Sequence, residues 1–154
     1  MPMPVALPGR LTADGLAVVV KRDCPTCVLI EPVLAQLAGS GKRLTVLTQD
    51  DPTFPSTVRG VVDDTDLALS WQLDIETVPT LIRIEGGKEV ARAFGWHRGE
   101  WEDVSRVAGL GQSLPAERPG CGSMTVDPDI ADELAIRFGG GQDVRLAGLR
   151  GSYY

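Results

Sequence analysis

The sequence predicts an α/β fold: a mixed β-sheet flanked by helices. Three observations carry this. The run LAVVV at 16–20 and the run LTVLT at 44–48 are short, apolar and rich in β-branched residues, and a segment with helical apolar spacing separates them. A second pair of β-type runs, 80–85 and 88–94, is joined by Gly86-Gly87, a hairpin signal. The segment at 99–110 again carries apolar residues at helical spacing.

Taken in order, the first strand begins after Gly15, and a loop over 21–26 follows it. Val28, Leu29, Val33, Leu34 and Leu37 then mark one helix ending near Gly39, with Pro32 predicted to kink its axis. The second strand, 44–48, leads into a loop over 50–60 punctuated by Pro52 and Pro55. A short helix is predicted over 64–71, capped by Asp64, with Leu67 and Trp71 on its apolar face. The hairpin follows Val78-Pro79. The last helix, 99–110, carries Trp101, Val104 and Ala108 on one side. A helix between the first two strands makes them parallel, whereas the hairpin is antiparallel, so the sheet is mixed. Residues 109–123, GLGQSLPAERPGCGS, have the composition of a linker, and 127–138 has a helix signature with Asp127 as cap and Ile130, Leu134 and Phe138 as its stripe.

Composition narrows the function classes. The chain has 154 residues, 43% hydrophobic and 23% charged, enough for a core without staples. Its net charge of -6 argues against nucleic acid or an anionic membrane as a partner. No apolar run reaches the ~18 residues of a membrane span. Residues 1–8 carry three prolines but neither a basic flank nor a signal-like apolar run, so a cytoplasmic location is expected. In a reducing compartment, the three cysteines point to redox or metal chemistry rather than a disulfide scaffold.

Cys24-Pro25-Thr26-Cys27 is the motif that bears chemistry. Two thiols at this spacing can close a small disulfide ring. At a helix start, the first thiol meets unpaired N–H groups that favour the thiolate, which is the attacking species. Zinc sites use the same spacing, but the position here, after a strand and before a helix in a β-α-β pattern, favours redox exchange.

With AVVVKRDCPTC, Pro32 five residues beyond Cys27, the TVPT segment at 77–80 and Gly95 after the last strand, residues 5 to 111 resemble the thioredoxin superfamily. The resemblance implies a thioredoxin-like domain over 1–112, followed by a linker, helix and tail over 113–154. It implies that Cys24 is the exposed nucleophile, Cys27 the buried resolving thiol, and Pro79 a cis proline facing the pair. Val78 would pair its backbone with a bound substrate segment, and Gly95 and Trp96 would border the same groove. The implied activity is thiol–disulfide oxidoreduction on protein or small-molecule disulfides. The chain would need no cofactor or metal of its own, and its electrons would come from a reductase or another dithiol. The alternative is a redox-silent docking module that binds a partner protein.

Two departures stand out. Asp23 replaces the tryptophan that usually precedes the first cysteine, and Val18 replaces the buried aspartate six residues before it, which leaves Glu31 as a neighbouring carboxylate. Asp23 should disfavour the Cys24 thiolate, whereas Lys21 and Arg22 should favour it. Cys121, between glycines, is either an unremarkable thiol or an accessory one that exchanges with Cys24 or bonds another subunit. His97 completes a possible Cys3His zinc set but lacks the paired ligand spacing. Trp71 and Trp101 are read as core and Trp96 as a groove wall. The 127–138 stripe needs burial, on its own domain or in a homodimer.

Overall fold

The computed structural model describes residues 11–125. The helix expected at 127–138, and any homodimer formed through it, lies outside them. In chain order the elements are β1 (Gly15–Val20), α1 (Pro25–Leu29), α2 (Glu31–Ala38), β2 (Leu44–Thr48), β3 (Val62–Asp63), α3 (Ala68–Gln72), β4 (Thr77–Val78), β5 (Thr80–Glu85), β6 (Lys88–Phe94), β7 (Trp96–His97), α4 (Arg98–Ser105), β8 (Glu117–Arg118) and β9 (Cys121–Gly122). The class is mixed α/β, with a central five-stranded sheet in the order β3-β2-β1-β5-β6 and, among the described residues, four helices.

The sheet is mixed as expected. β1 runs parallel to β2 and β2 to β3, while β5 is antiparallel to both β1 and β6. Every residue from Leu16 to Val20 is buried. Side chains alternate between faces along a strand, so both faces of β1 are covered. That coverage explains why LAVVV reads as an unbroken apolar run rather than an alternating one.

Several elements differ from the sequence reading, each for a local reason. The single kinked helix is two helices meeting at Ile30, which ends α1 and begins α2. Pro32 has no N–H and its ring crowds the carbonyl of Val28, so the first helix cannot continue through it. The helix expected over 64–71 is the shorter α3. Asp64 still caps it, from outside: its carboxylate accepts the N–H groups of Leu69 at 2.9 Å and Ser70 at 2.8 Å, and the Ser70 hydroxyl at 2.6 Å. Trp71, expected in the core, is 55% exposed, because α3 turns Ser70 inward instead. The helix expected to reach residue 110 stops at Ser105. Arg106 takes a left-handed conformation, and the Glu102 carboxylate accepts the N–H groups of Gly109 at 2.6 Å and Leu110 at 3.1 Å.

The largest difference is at 109–123. These residues do not behave as a linker: β8 pairs with β7 and β9 pairs with β4, both antiparallel. The Arg98 guanidinium donates to the carbonyls of Leu110, Gly111 and Leu114. Beyond β9, the Gln49 amide donates to Ser123 Oγ at 2.6 Å and to Ser70 Oγ at 2.9 Å, and its carbonyl accepts the Met124 N–H at 3.0 Å. This buried polar network, linked through Ser70 to Asp64, ties the segment to the end of β2.

Among the described residues, no helix is long and apolar enough to cross a membrane.

Candidate functional site: three thiols beneath a crossing strand

The loop after β1 brings Cys24 to the start of α1. Asp50, just past β2, holds that loop by accepting the N–H groups of Arg22 at 2.7 Å and Asp23 at 2.9 Å. The Arg22 guanidinium pairs with Asp51 at 2.7 Å, away from the thiols. Glu31 likewise faces elsewhere, accepting the Ser56 N–H at 3.2 Å. The charges expected to set the thiolate at Arg22 and Asp23 are therefore engaged or exposed rather than aimed at it.

The thiolate is favoured by neutral donors instead. Cys24 caps α1, and its Sγ accepts the Cys27 backbone N–H at 3.4 Å. The Cys27 thiol hydrogen-bonds Cys24 Sγ, and the Cys121 thiol and the backbone N–H groups of Cys27 and Thr26 add to it. Together they overcome burial and bring Cys24 down to about 6 from an ordinary 9.0. Burial and the adjacent Cys24 sulfur push the Cys27 thiol well up. The same two causes push Cys121 up to about 11, against the attraction of the buried Lys21. The site thus holds one thiol poised to ionise between two that stay protonated.

The Val78–Pro79 peptide is cis. Cys24 Sγ lies 3.6 Å from the Val78 carbonyl oxygen. Val78, expected to offer its backbone to a bound segment, already pairs with Cys121, and Thr77 with Gly122. Cys24, expected to be exposed, is 1% accessible. The chain from Pro119 to Cys121 crosses it, fastened by the Thr26 hydroxyl, which donates to the Pro119 carbonyl at 2.7 Å.

Two glycines permit that crossing. Gly95 has φ 63°, and a Cβ there would stand 2.7 Å from the backbone nitrogen of Gly120. A Cβ on Gly120 would stand 2.6 Å from the Val78 carbonyl oxygen. Backbone atoms cannot yield at such distances, so the two strands approach only where neither has a side chain. Gly95 is accordingly buried under the segment rather than lining an open groove. Trp96 is buried as well: its indole N–H donates to the Pro115 carbonyl at 2.7 Å, and its ring meets Trp101 edge-on at 5.5 Å. It is a core residue, not the groove wall expected of it.

His97 caps α4 by accepting the Glu100 N–H at 3.1 Å, and it does not join the cysteines. Among the described residues, no group of three or more His, Cys, Asp or Glu side chains is placed to hold a metal ion.

The structure brings Cys24, Cys27, Cys121, Val78 and Pro79 into one cluster and buries Trp96 in the core. Sequence reasoning missed Thr26, and it read Gly120 as giving Cys121 freedom to reach the groove rather than as a close-packed position. The Pro-Thr pair inside the motif and the glycine before Cys121 were the only signals of either. No protein-family model matches the chain, and no curated protein matches it.

Proposed function

We propose that the chain is a thioredoxin-like thiol–disulfide oxidoreductase working through Cys24 and Cys27. The observation that carries this reading is the geometry of the pair: Cys24 caps α1 and accepts the Cys27 N–H at 3.4 Å, with Cys27 fully buried behind it, an arrangement that favours the first thiol as thiolate and holds the second protonated. A cis proline next to the pair and a strand–motif–helix order around it support the same reading.

In the reducing direction, the Cys24 thiolate attacks one sulfur of a protein or small-molecule disulfide. A Cys24–target disulfide forms and the other target sulfur leaves as thiolate. Cys27 loses its proton and attacks Cys24 Sγ. The second target thiolate leaves, and a Cys24–Cys27 disulfide remains. Two electrons pass from the protein thiols to the target, and an external reductase or dithiol returns them. Val18 stands where a buried carboxylate would aid the Cys27 proton, but the step has another source of help. Burial raises Cys27 most; the Cys24 thiolate adds to it by hydrogen bond and by charge, and these two contributions vanish once Cys24 enters the mixed disulfide. The cytoplasm, expected from the sequence, would favour this reducing direction.

The near-complete burial of Cys24 favours a second reading, a docking module in which redox exchange is incidental. Titration in glutathione or dithiothreitol buffers, with alkylation of free thiols and peptide mass spectrometry, separates the two. Reversible formation of a Cys24–Cys27 bridge is expected. A pair that stays reduced in oxidising buffer would leave only the docking reading.

A further inference from the structure

Three features converge on Cys121. It lies on β9 directly opposite Val78, whose carbonyl oxygen is the contact of Cys24 Sγ. The segment carrying it is fastened over Cys24 by Thr26 and by the fit of Gly120 against Gly95. Of the three thiols it is the most accessible, since Cys24 and Cys27 are fully buried.

We propose that β9 is a tethered substrate strand: it occupies the β4 edge beside the motif and presents Cys121 as an internal disulfide partner of Cys24. This rests on the oxidoreductase reading and deepens it, because it names the first occupant of the site as the chain's own segment. The Cys121 thiol acts on Cys24 across the β4–β9 pairing, favouring the Cys24 thiolate while staying protonated itself.

The chemistry balances with a disulfide as oxidant. When β9 lifts, the Cys24 thiolate attacks glutathione disulfide, forming Cys24–glutathione and releasing one glutathione thiolate. Cys121 gives its proton to solvent and attacks Cys24 Sγ. The second glutathione thiolate leaves and a Cys24–Cys121 disulfide forms. Cys27 can then lose its proton to solvent and attack Cys24 Sγ, expelling the Cys121 thiolate, which takes up a proton in turn. That exchange moves the bridge to Cys24–Cys27 without net oxidation and frees β9 to leave the edge. The segment would thus guard the nucleophile at rest and compete with external substrates for it.

The test uses the full chain carrying Cys27→Ser, which removes the competing thiol. Cys27→Ala is run alongside, so that poor folding of one variant does not decide the result. Each is treated with glutathione disulfide, quenched with acid, alkylated and digested with trypsin. The expected product carries no glutathione and links the peptide of residues 23–42 to that of residues 107–137. Adding Cys121→Ser should abolish the link and raise the glutathione adduct on Cys24 by about 10-fold, because a tethered thiol acts at a millimolar-range effective concentration. Glutathione that stays on Cys24 beside a free Cys121 would overturn this inference and leave the oxidoreductase reading standing. Glutathione on Cys121 alone would overturn the inference too. Thiols that take up no glutathione and form no bridge would overturn both.

Discussion

The β5–β6 hairpin and the β8–β9 segment are both antiparallel pairings, yet they are built in opposite ways. In the hairpin, strands of six and seven residues fold back across Gly86-Gly87, and the partners are neighbours in the chain. β8 and β9 are two residues each, and they pair with strands formed some twenty to forty residues earlier. The hairpin is held by apolar burial: Leu81, Ile82, Ile84 and Ala93 are all buried. The crossing segment is held by backbone fit and by polar bonds from Thr26 to Pro119 and from Gln49 to Ser123 and Met124. The hairpin belongs to the fold, whereas the segment is a cover laid on it, so the first should fail globally and the second locally.

Leu81→Ala strikes the hairpin side. The side chain is fully buried in β5, and its loss should lower the unfolding free energy by about 3 kcal/mol. Urea denaturation followed by circular dichroism would read this as a shift of the whole transition. Gly120→Val strikes the cover, since its Cβ would meet the Val78 carbonyl oxygen. The expected loss of stability is smaller, about 1–2 kcal/mol. Iodoacetamide modification of Cys24, however, should accelerate by about 10-fold or more as the thiol is uncovered. A Gly120→Val protein that lost stability as severely as Leu81→Ala, with no gain in thiol reactivity, would erase the distinction between the two regions.

The smallest effect is in the pH dependence. Cys24 alkylation should rise with pH about a midpoint near 6, and Cys121→Ala should move that midpoint upward by removing one thiol donor. The sign for stability follows from the same depression. Folded Cys24 releases its proton at about 6, against 9.0 for an ordinary thiol, so between these values the unfolded chain binds more protons. Compared with Cys24→Ser, the reduced protein should therefore gain stability as pH rises from 6 to 9 and lose that gain as pH falls through 6. Above 9 the raised thiols of Cys27 and Cys121 work the other way. Guanidinium midpoints measured across this range would show the difference.

The hairpin was legible because its information is local: alternating β-formers, a Gly-Gly turn and a continuous apolar run. The β1–β2 unit was legible for the same reason, as was the placement of Cys24 and Cys27 at its crossover. The cover was not. AERPGCGS has no apolar period, and a two-residue strand leaves no pattern to find. Its glycines read as linker composition, although Gly120 is there because another backbone passes too close for a side chain. Trp71 and Trp96 were misjudged together, and for one cause. Aromatic residues announce that they need contact but not which surface supplies it, and here the β7–β8 pairing buries Trp96 while the short α3 turns Trp71 out.

The network around Gln49 has a consequence for how the cover moves. Gln49 holds both Ser123 and Met124, Ser123 donates its N–H to the Glu76 carbonyl, and Cys121 and Gly122 are paired just upstream. Peeling back one residue at a time would strand buried donors and acceptors at each stage, a cost recovered only when water reaches all of them. The segment from Cys121 to Met124 should therefore not fray: it is a cooperative latch with two positions, shut or released.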